Sequence, residues 1–196
     1  MKLAPVTLTG RHVRLEPLSA AHHAALESGG AVPEVWRWMT FLHADPRAAV
    51  REWCATLGAL QARGEAAAFA IVETASGQPV GGTALFDHSE AHRRAEIGYT
   101  WHTPRVWRTA VNTEAKLLLL GHAFGTLGLN RVQLKTDARN VRSQAAIARL
   151  GAVREGVWRA HMVLPDGWVR DSVVFSIIAA EWPAVRTRLA ERLARG

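Results

Sequence analysis

Between Thr113 and Leu127 the chain passes through Leu117 to Leu120, Ala123 and Phe124, so a helix here is apolar on most of its surface. Such a helix has to be buried between other elements rather than laid on a surface. The segments on either side, Ala95 to Trp101 and Arg131 to Thr136, read as strands. The helix, starting at Asn112 or Thr113, is therefore predicted to lie inside one strand-helix-strand unit.

The rest of the chain has a different rhythm. Val13-Arg14-Leu15 alternates as a strand, and Pro17-Leu18-Ser19 offers a cap for a helix through His22 to Leu26. Asp45 precedes Pro46 as an N-cap precedes proline at the first helical position, and Val50, Trp53, Leu57 and Leu60 recur at helical spacing until Gly64. Ala67 to Glu73 and Val80 to Phe86 read as strands joined by the turn Ser76-Gly77-Gln78-Pro79, and with Ala95 to Trp101 they form an antiparallel meander. Asn140 to Leu150 is a short helix stopped by Gly151. Val153 to Met162 and Asp171 to Ile178 pair across Pro165-Asp166-Gly167, and Trp182 to Leu193 is a closing helix. Helices before, within and after a mostly antiparallel sheet define an α+β class.

A length of 196 residues suits one domain, taken as 1–196, and 48% hydrophobic against 21% charged residues excludes disorder as the main state. The single cysteine, Cys54, excludes a disulfide framework within the chain and a zinc site built on paired cysteines, and points to the cytoplasm. No apolar run approaches the roughly 20 residues of a membrane span, and Met1 to Pro5 lacks the apolar stretch of a signal peptide, so a soluble, unprocessed protein is expected. A net charge of +7 favours acidic partners, whether nucleic acid, a phosphorylated cofactor or an acidic protein. The basic residues are nearly all arginine and scattered, with Arg93-Arg94 the one adjacent pair, so nucleic acid is not expected.

Several kinds of site are excluded by their missing parts: the phosphate loop Gly-x-x-x-x-Gly-Lys-Ser/Thr, the dinucleotide fingerprint, the Gly-x-Ser-x-Gly elbow and His-Glu-x-x-His. No metal is expected, because His22 and His23 do not share a helix face and have no carboxylate at ligand spacing. What remains is Glu96-Ile97-Gly98-Tyr99-Thr100-Trp101, followed by Arg105-Val106-Trp107-Arg108-Thr109-Ala110-Val111-Asn112-Thr113-Glu114-Ala115. A strand that leads through a small-residue loop into a helix start offers unpaired N–H groups and the positive end of the helix dipole to an anion. An ordinary connection capped by Asn112 or Thr113 has the same pattern.

This segment resembles the acyl-CoA loop of the GNAT acetyltransferase superfamily, whose pattern is Arg/Gln-x-x-Gly-x-Gly/Ala. Downstream, Asp137 to Ser143, Ala148-Arg149-Leu150-Gly151-Ala152, Arg154-Glu155-Gly156, Asp171 to Ser176 and Glu181-Trp182 resemble its RimJ/RimL branch. The likeness runs from about Val13 to Trp182. It implies the acyl-CoA N-acyltransferase fold, a mostly antiparallel central sheet with helices on both faces. One position departs from the pattern: Arg108 stands where the family has its first loop glycine, while Ala110 is a permitted alternative to the second. If that position needs positive φ, arginine costs about 1 to 2 kcal/mol, and its guanidinium can instead reach the pyrophosphate.

The resemblance implies acetyl transfer from acetyl-CoA to a primary amine, either a protein N-terminus such as that of an acidic ribosomal protein or a small molecule. It also allows a homodimer, and a catalytically weak CoA-binding sensor is the alternative. It would place the cofactor against Thr100, Trp101, His102, Arg108, Thr109, Ala110, Val111, Asn112, Thr113, Asn140 and Ser143. Ser143 matches the serine expected to protonate the leaving sulfur, although it also fits the first turn of a helix capped by Asn140. For the base, Glu96 ranks first, ahead of His102, His161 and a water chain. Glu96 could equally pair with Arg94. Trp36 and Trp38 belong to the early helices that wall the acceptor site in this superfamily, and Trp53 fits a core position.

Overall fold

The structure, a computed structural model, describes residues 3–41 and 43–195. Alternation in Val13–Pro17 (β2) buries Val13 and Leu15 completely and pairs the strand with the short Leu8–Thr9 (β1) on one side and Ala66–Glu73 (β3) on the other. Pro79–Ser89 (β4) and Arg94–His102 (β5) extend the antiparallel meander. Arg131–Asp137 (β6) then joins β5 in parallel, and Val169–Ile178 (β8) and Val153–Val163 (β7) complete an eight-stranded sheet of order β1-β2-β3-β4-β5-β6-β8-β7. β5–β6 is its one parallel pair, as the crossover reading required.

Both faces of the sheet are covered, which is why β3 is an almost unbroken apolar run rather than an alternating one. On one face, Leu15, Phe69, Ile71, Leu85 and Ile97 pack with Ala110–Gly121 (α4), Val141–Leu150 (α5) and Trp182–Arg195 (α6). On the other, Ala68, Ala70, Val72 and Ala84 are small, leaving room for Trp36, Trp53 and Leu57 from Pro33–Trp36 (α2) and Pro46–Ala62 (α3), beside Ala20–Gly30 (α1). Gly82 serves the same packing: a Cβ there would overlap the Trp53 indole. Asp45 accepts from Arg47 N as the cap of α3, and Asn140 caps α5, which ends at Gly151 with φ +101.

The crossover helix differs from expectation at both ends. α4 begins at Ala110, and its cap is Thr109, whose Oγ1 accepts from Val111 N at 3.3 Å; Asn112 and Thr113 are already inside the helix. Thr109 Oγ1 takes the N–H of Val111, whereas a cap at Asn112 or Thr113 would have served N–H groups further along, so the helix starts about one turn earlier in the chain. The regular helix stops at Gly121 and relaxes into one π-helical turn, His122–Thr126, before reaching Leu127.

Candidate active site

Strands β5 and β6 pair only across Arg94↔Arg131, Ala95↔Val132 and Glu96↔Gln133. Beyond that point β5 continues along β4 to His102, while β6 continues along β8 to Asp137. The two central strands therefore part and leave a wedge between them.

The departure starts at a bulge. Register between β4 and β5 shifts between Gly82 and Ala84, and Tyr99 takes φ +53, a left-handed conformation uncommon for a residue with a side chain. Neither peptide flanking Tyr99 is left to the ladder alone. The Tyr99 carbonyl accepts from Trp53 Nε1 at 2.9 Å, and the Gly98 carbonyl lies 3.4 Å from the hydroxyls of both Thr83 and Thr100.

One wall of the wedge is β5 with the start of α4. Thr109 Oγ1 occupies Val111 N, so the first-turn N–H groups of Ala110 and Asn112 have no partner within the helix and are free for an anion. Arg108 has φ +65, the conformation a glycine would take, and its side chain is exposed. Ala110 is the first helical residue, where no positive φ is needed, so alanine costs nothing there. Val111 and Thr113 are buried under the loop, and the Trp101 indole lies in the α2–α3 core against Trp36 and Trp53. Val111 and Trp101 thus have only their backbones to offer a ligand in the wedge.

The other wall is β6 with α5. Asn140 Oδ1 accepts from Ser143 N at 3.0 Å, which leaves the Asn140 amide nitrogen and the Ser143 hydroxyl without hydrogen-bond partners among the described residues. The two walls meet where the Arg142 guanidinium stacks 4.2 Å from the Trp107 ring centroid. Trp107 is itself fixed by donating to the His102 carbonyl at 3.0 Å.

The three candidate bases have different surroundings. Glu96 is buried at the root of the wedge, where it pairs with Lys135 Nζ at 2.8 Å and accepts from Gln133 Nε2 at 3.1 Å. Arg94 pairs with Asp87 instead. Burial pushes the Glu96 carboxyl above its usual range, against the pull of Lys135. His102 is half-buried as a residue, but its Nε2 is shielded from water and unpartnered. Burial, reinforced by nearby Lys116, lowers its pKa to about 3, so the ring is neutral but a weak base. His161 hydrogen-bonds Ser172 through Nδ1 at 2.9 Å and stands edge-on to Trp158; burial, then Lys135 and Arg170, lower its pKa.

The wedge sets an open helix N-terminus, suited to an anion, opposite the free amide of Asn140 and hydroxyl of Ser143. A family model described as "Acetyltransferase (GNAT) domain" matches residues 12–153. The chain belongs to the GNAT acetyltransferase family. A GCN5-related N-acetyltransferase from Brucella melitensis superposes with TM-score 0.89 at 30% identity, covering 98% of this chain and 87% of that one. Mycobacterium smegmatis RimJ, solved in complex with CoA-disulfide, superposes with TM-score 0.81 at 26% identity over 97% of this chain and 96% of that one. Among curated sequences, the uncharacterized N-acetyltransferase YoaA of Bacillus subtilis is 33% identical over 90 residues, 46% of this chain. The match spans half of that relative's length.

Four residues to which the sequence reading gave no role brace the wedge or the helix beside it. Arg142 lies within the downstream motif but shows its role only through Trp107. Arg139 pairs with Asp137 at 2.8 Å and lies between the rings of Trp38, at 4.9 Å, and Trp168, at 4.3 Å, so it ties three loops together. Glu114 and Lys116 point inward from α4, one to each side. A usable signal existed for Lys116: the chain has three lysines among its 24 basic residues, and this one interrupts an apolar helix.

Proposed function

We propose that the protein is an acetyl-CoA-dependent N-acetyltransferase acting on a primary amine. The observation that carries this reading is the parting of β5 and β6 after Glu96 and Gln133, beside the open N-terminus of α4 on one wall and Asn140 and Ser143 on the other. Acetyl-CoA, when bound, supplies the activated acetyl thioester. The Ala110 and Asn112 N–H groups and the positive end of α4 hold the pyrophosphate, with Arg108 and Arg142 adding charge at the mouth. The Asn140 amide, free to donate while its oxygen caps α5, orients the pantetheine arm.

The chain's own groups then handle two protons. Glu96, with its raised pKa, accepts the proton of the incoming ammonium directly or through water, and its pair with Lys135 has to loosen as it does so. Ser143 Oγ donates its own proton to the departing sulfur and takes one back from water. A backbone N–H on the bulged edge of β5 stabilises the charge that develops on the carbonyl oxygen. The α-amine of a protein N-terminus is the first acceptor to test, in a cytoplasmic setting. Trp158 and Trp168 are exposed, with Lys135 over the first ring and Arg139 over the second and over Trp38, a surface chemistry suited to peptide.

The left-handed φ at Arg108 weighs against a decayed, non-catalytic loop, because the backbone keeps the shape a glycine would give it. Free-thiol release from acetyl-CoA, measured across small amines and N-terminal peptides, tests the proposal. Turnover with an amine supports it, while tight acetyl-CoA binding without turnover on any amine replaces it with the sensor reading. Preference for a small amine over every peptide removes the protein acceptor.

A further inference from the structure

Lys116 is the least expected residue of the core. It sits on α4 among Leu117 to Leu120, 5% exposed, and its amine donates to Thr100 Oγ1 at 2.7 Å and Thr83 Oγ1 at 3.4 Å. His102, next but one to Thr100, feels its charge. An amine buried this way costs stability that methionine of similar length would not. A core rule broken beside the bulged strand is where a positioning role is expected.

What it positions can be followed by counting hydrogens. The Thr83 and Thr100 hydroxyls are 2.7 Å apart and both lie 3.4 Å from the Gly98 carbonyl. As an ammonium, Lys116 can only donate, so in that form the hydroxyls use their own two hydrogens elsewhere. One hydrogen joins the pair and the other is left for the Gly98 carbonyl, whichever hydroxyl supplies it. The Gly98–Tyr99 peptide is the one that enters the bulge, and because it is trans, its N–H is turned away from the hydroxyls that hold its carbonyl. A backbone held at φ +53 persists only where its surroundings over-determine it. Here Trp53 holds one side of Tyr99, and Lys116 with the two threonines holds the other.

We propose that Lys116 is a positioning residue for acetyl transfer, its buried amine acting through Thr100 and Thr83 to fix the Gly98–Tyr99 peptide at the bulge of β5. The inference rests on the acetyltransferase reading above. An N–H that meets charge developing in the transition state affects turnover far more than ground-state binding, and loss of one such donor costs about 100- to 1,000-fold. Misdirecting it should cost less, about 10- to 100-fold in kcat, with acetyl-CoA affinity within about 3-fold.

The test is Lys116→Met, with Thr83→Val and the double variant beside it. Lys116→Met is expected to melt at or above the wild-type temperature at neutral pH yet to lose kcat as stated. In 15N-labelled protein without acetyl-CoA, its Tyr99 and Thr100 amide resonances should move. Thr83→Val should lower kcat in the same direction, and the double variant should be no worse than the poorer single by more than about 2-fold, because both act on one relay. Should Lys116→Met fail to fold, Thr83→Val and Thr100→Val carry the same kcat and resonance readouts. Wild-type turnover matched within about 2-fold by Lys116→Met, with the Tyr99 amide unmoved, overturns this inference alone. A wild-type protein that neither binds acetyl-CoA nor releases thiol overturns the acetyltransferase reading as well.

Discussion

Replacing Glu114 by alanine should be among the most damaging single changes outside the apolar core. The residue is 6% exposed, on the face of α4 turned toward β1 and β2. Oε1 accepts from Arg11 N at 2.9 Å, and Oε2 accepts from His12 N at 2.5 Å and Val13 N at 2.7 Å. Three successive N–H groups of the β1–β2 turn thus converge on one side chain about a hundred residues away, and Gly10 packs so closely that a Cβ would fall 2.5 Å from the Glu114 Cδ. A hydrogen bond to a charged group contributes about 1.5 to 3 kcal/mol, and three sharing one acceptor do not add fully. Removing the carboxylate also strands buried donors and leaves a void, so Glu114→Ala should lose about 3 to 5 kcal/mol. In a domain of this size that is a fall in Tm of roughly 10 °C. Glu114→Gln keeps an oxygen but turns an NH2 toward backbone donors, and should lose about half as much. Urea unfolding at constant m-value measures the loss, and hydrogen exchange at Arg11, His12 and Val13 shows whether those amides are released. A loss below about 1 kcal/mol with protection at those amides intact would refute the argument.

Ser143→Ala should slow acetyl transfer about 10- to 1,000-fold with acetyl-CoA affinity changed by no more than a few fold. Equal losses in rate and affinity would make Ser143 a cofactor ligand, and no loss would leave it a helix residue held by Asn140. Arg108→Gly relieves a left-handed φ worth about 1 to 2 kcal/mol and removes a cation from the loop. Acetyl-CoA should bind more weakly and with less salt dependence, whereas tighter binding with faster turnover would mark the arginine as a lesion. Burial lowers the Lys116 pKa from 10.5 to about 7. Because the folded value lies below the unfolded one, the stability this group contributes is complete above pH 10.5 and is lost as pH falls through 7. The stability advantage of Lys116→Met over wild type should therefore be largest below pH 7 and shrink as pH rises toward 10.5, and a gap independent of pH would contradict the burial argument.

Much of the fold was legible in local pattern because its determinants lie within one or two turns of chain. Asp45 before Pro46, Asn140 before α5 and Gly151 after it signal helix ends through groups two or three residues apart. The apolar surface of Leu117 to Leu120 announces a buried crossover, and with it the parallel pair β5–β6. The motif from Arg105 to Ala115 and the run from Asp137 to Ser143 name the two walls of the wedge by resemblance. Tertiary structure alone decided how those walls are made to work. Where β5 and β6 part depends on which neighbour each strand follows, and neither strand's own pattern records its partner. The bulge at Tyr99 needs Trp53 from 46 residues away and Thr83 from 15 to 17 away, so no window on the chain contains it. Glu96 chose Lys135 over Arg94 because, in a strand, residues two apart share a face yet need not meet, whereas the neighbouring strand brings β6 side chains alongside. Lys116 reads in the sequence as one cation on a helix, and it becomes a buried donor only because the sheet beneath it presents two hydroxyls at the height of its amine.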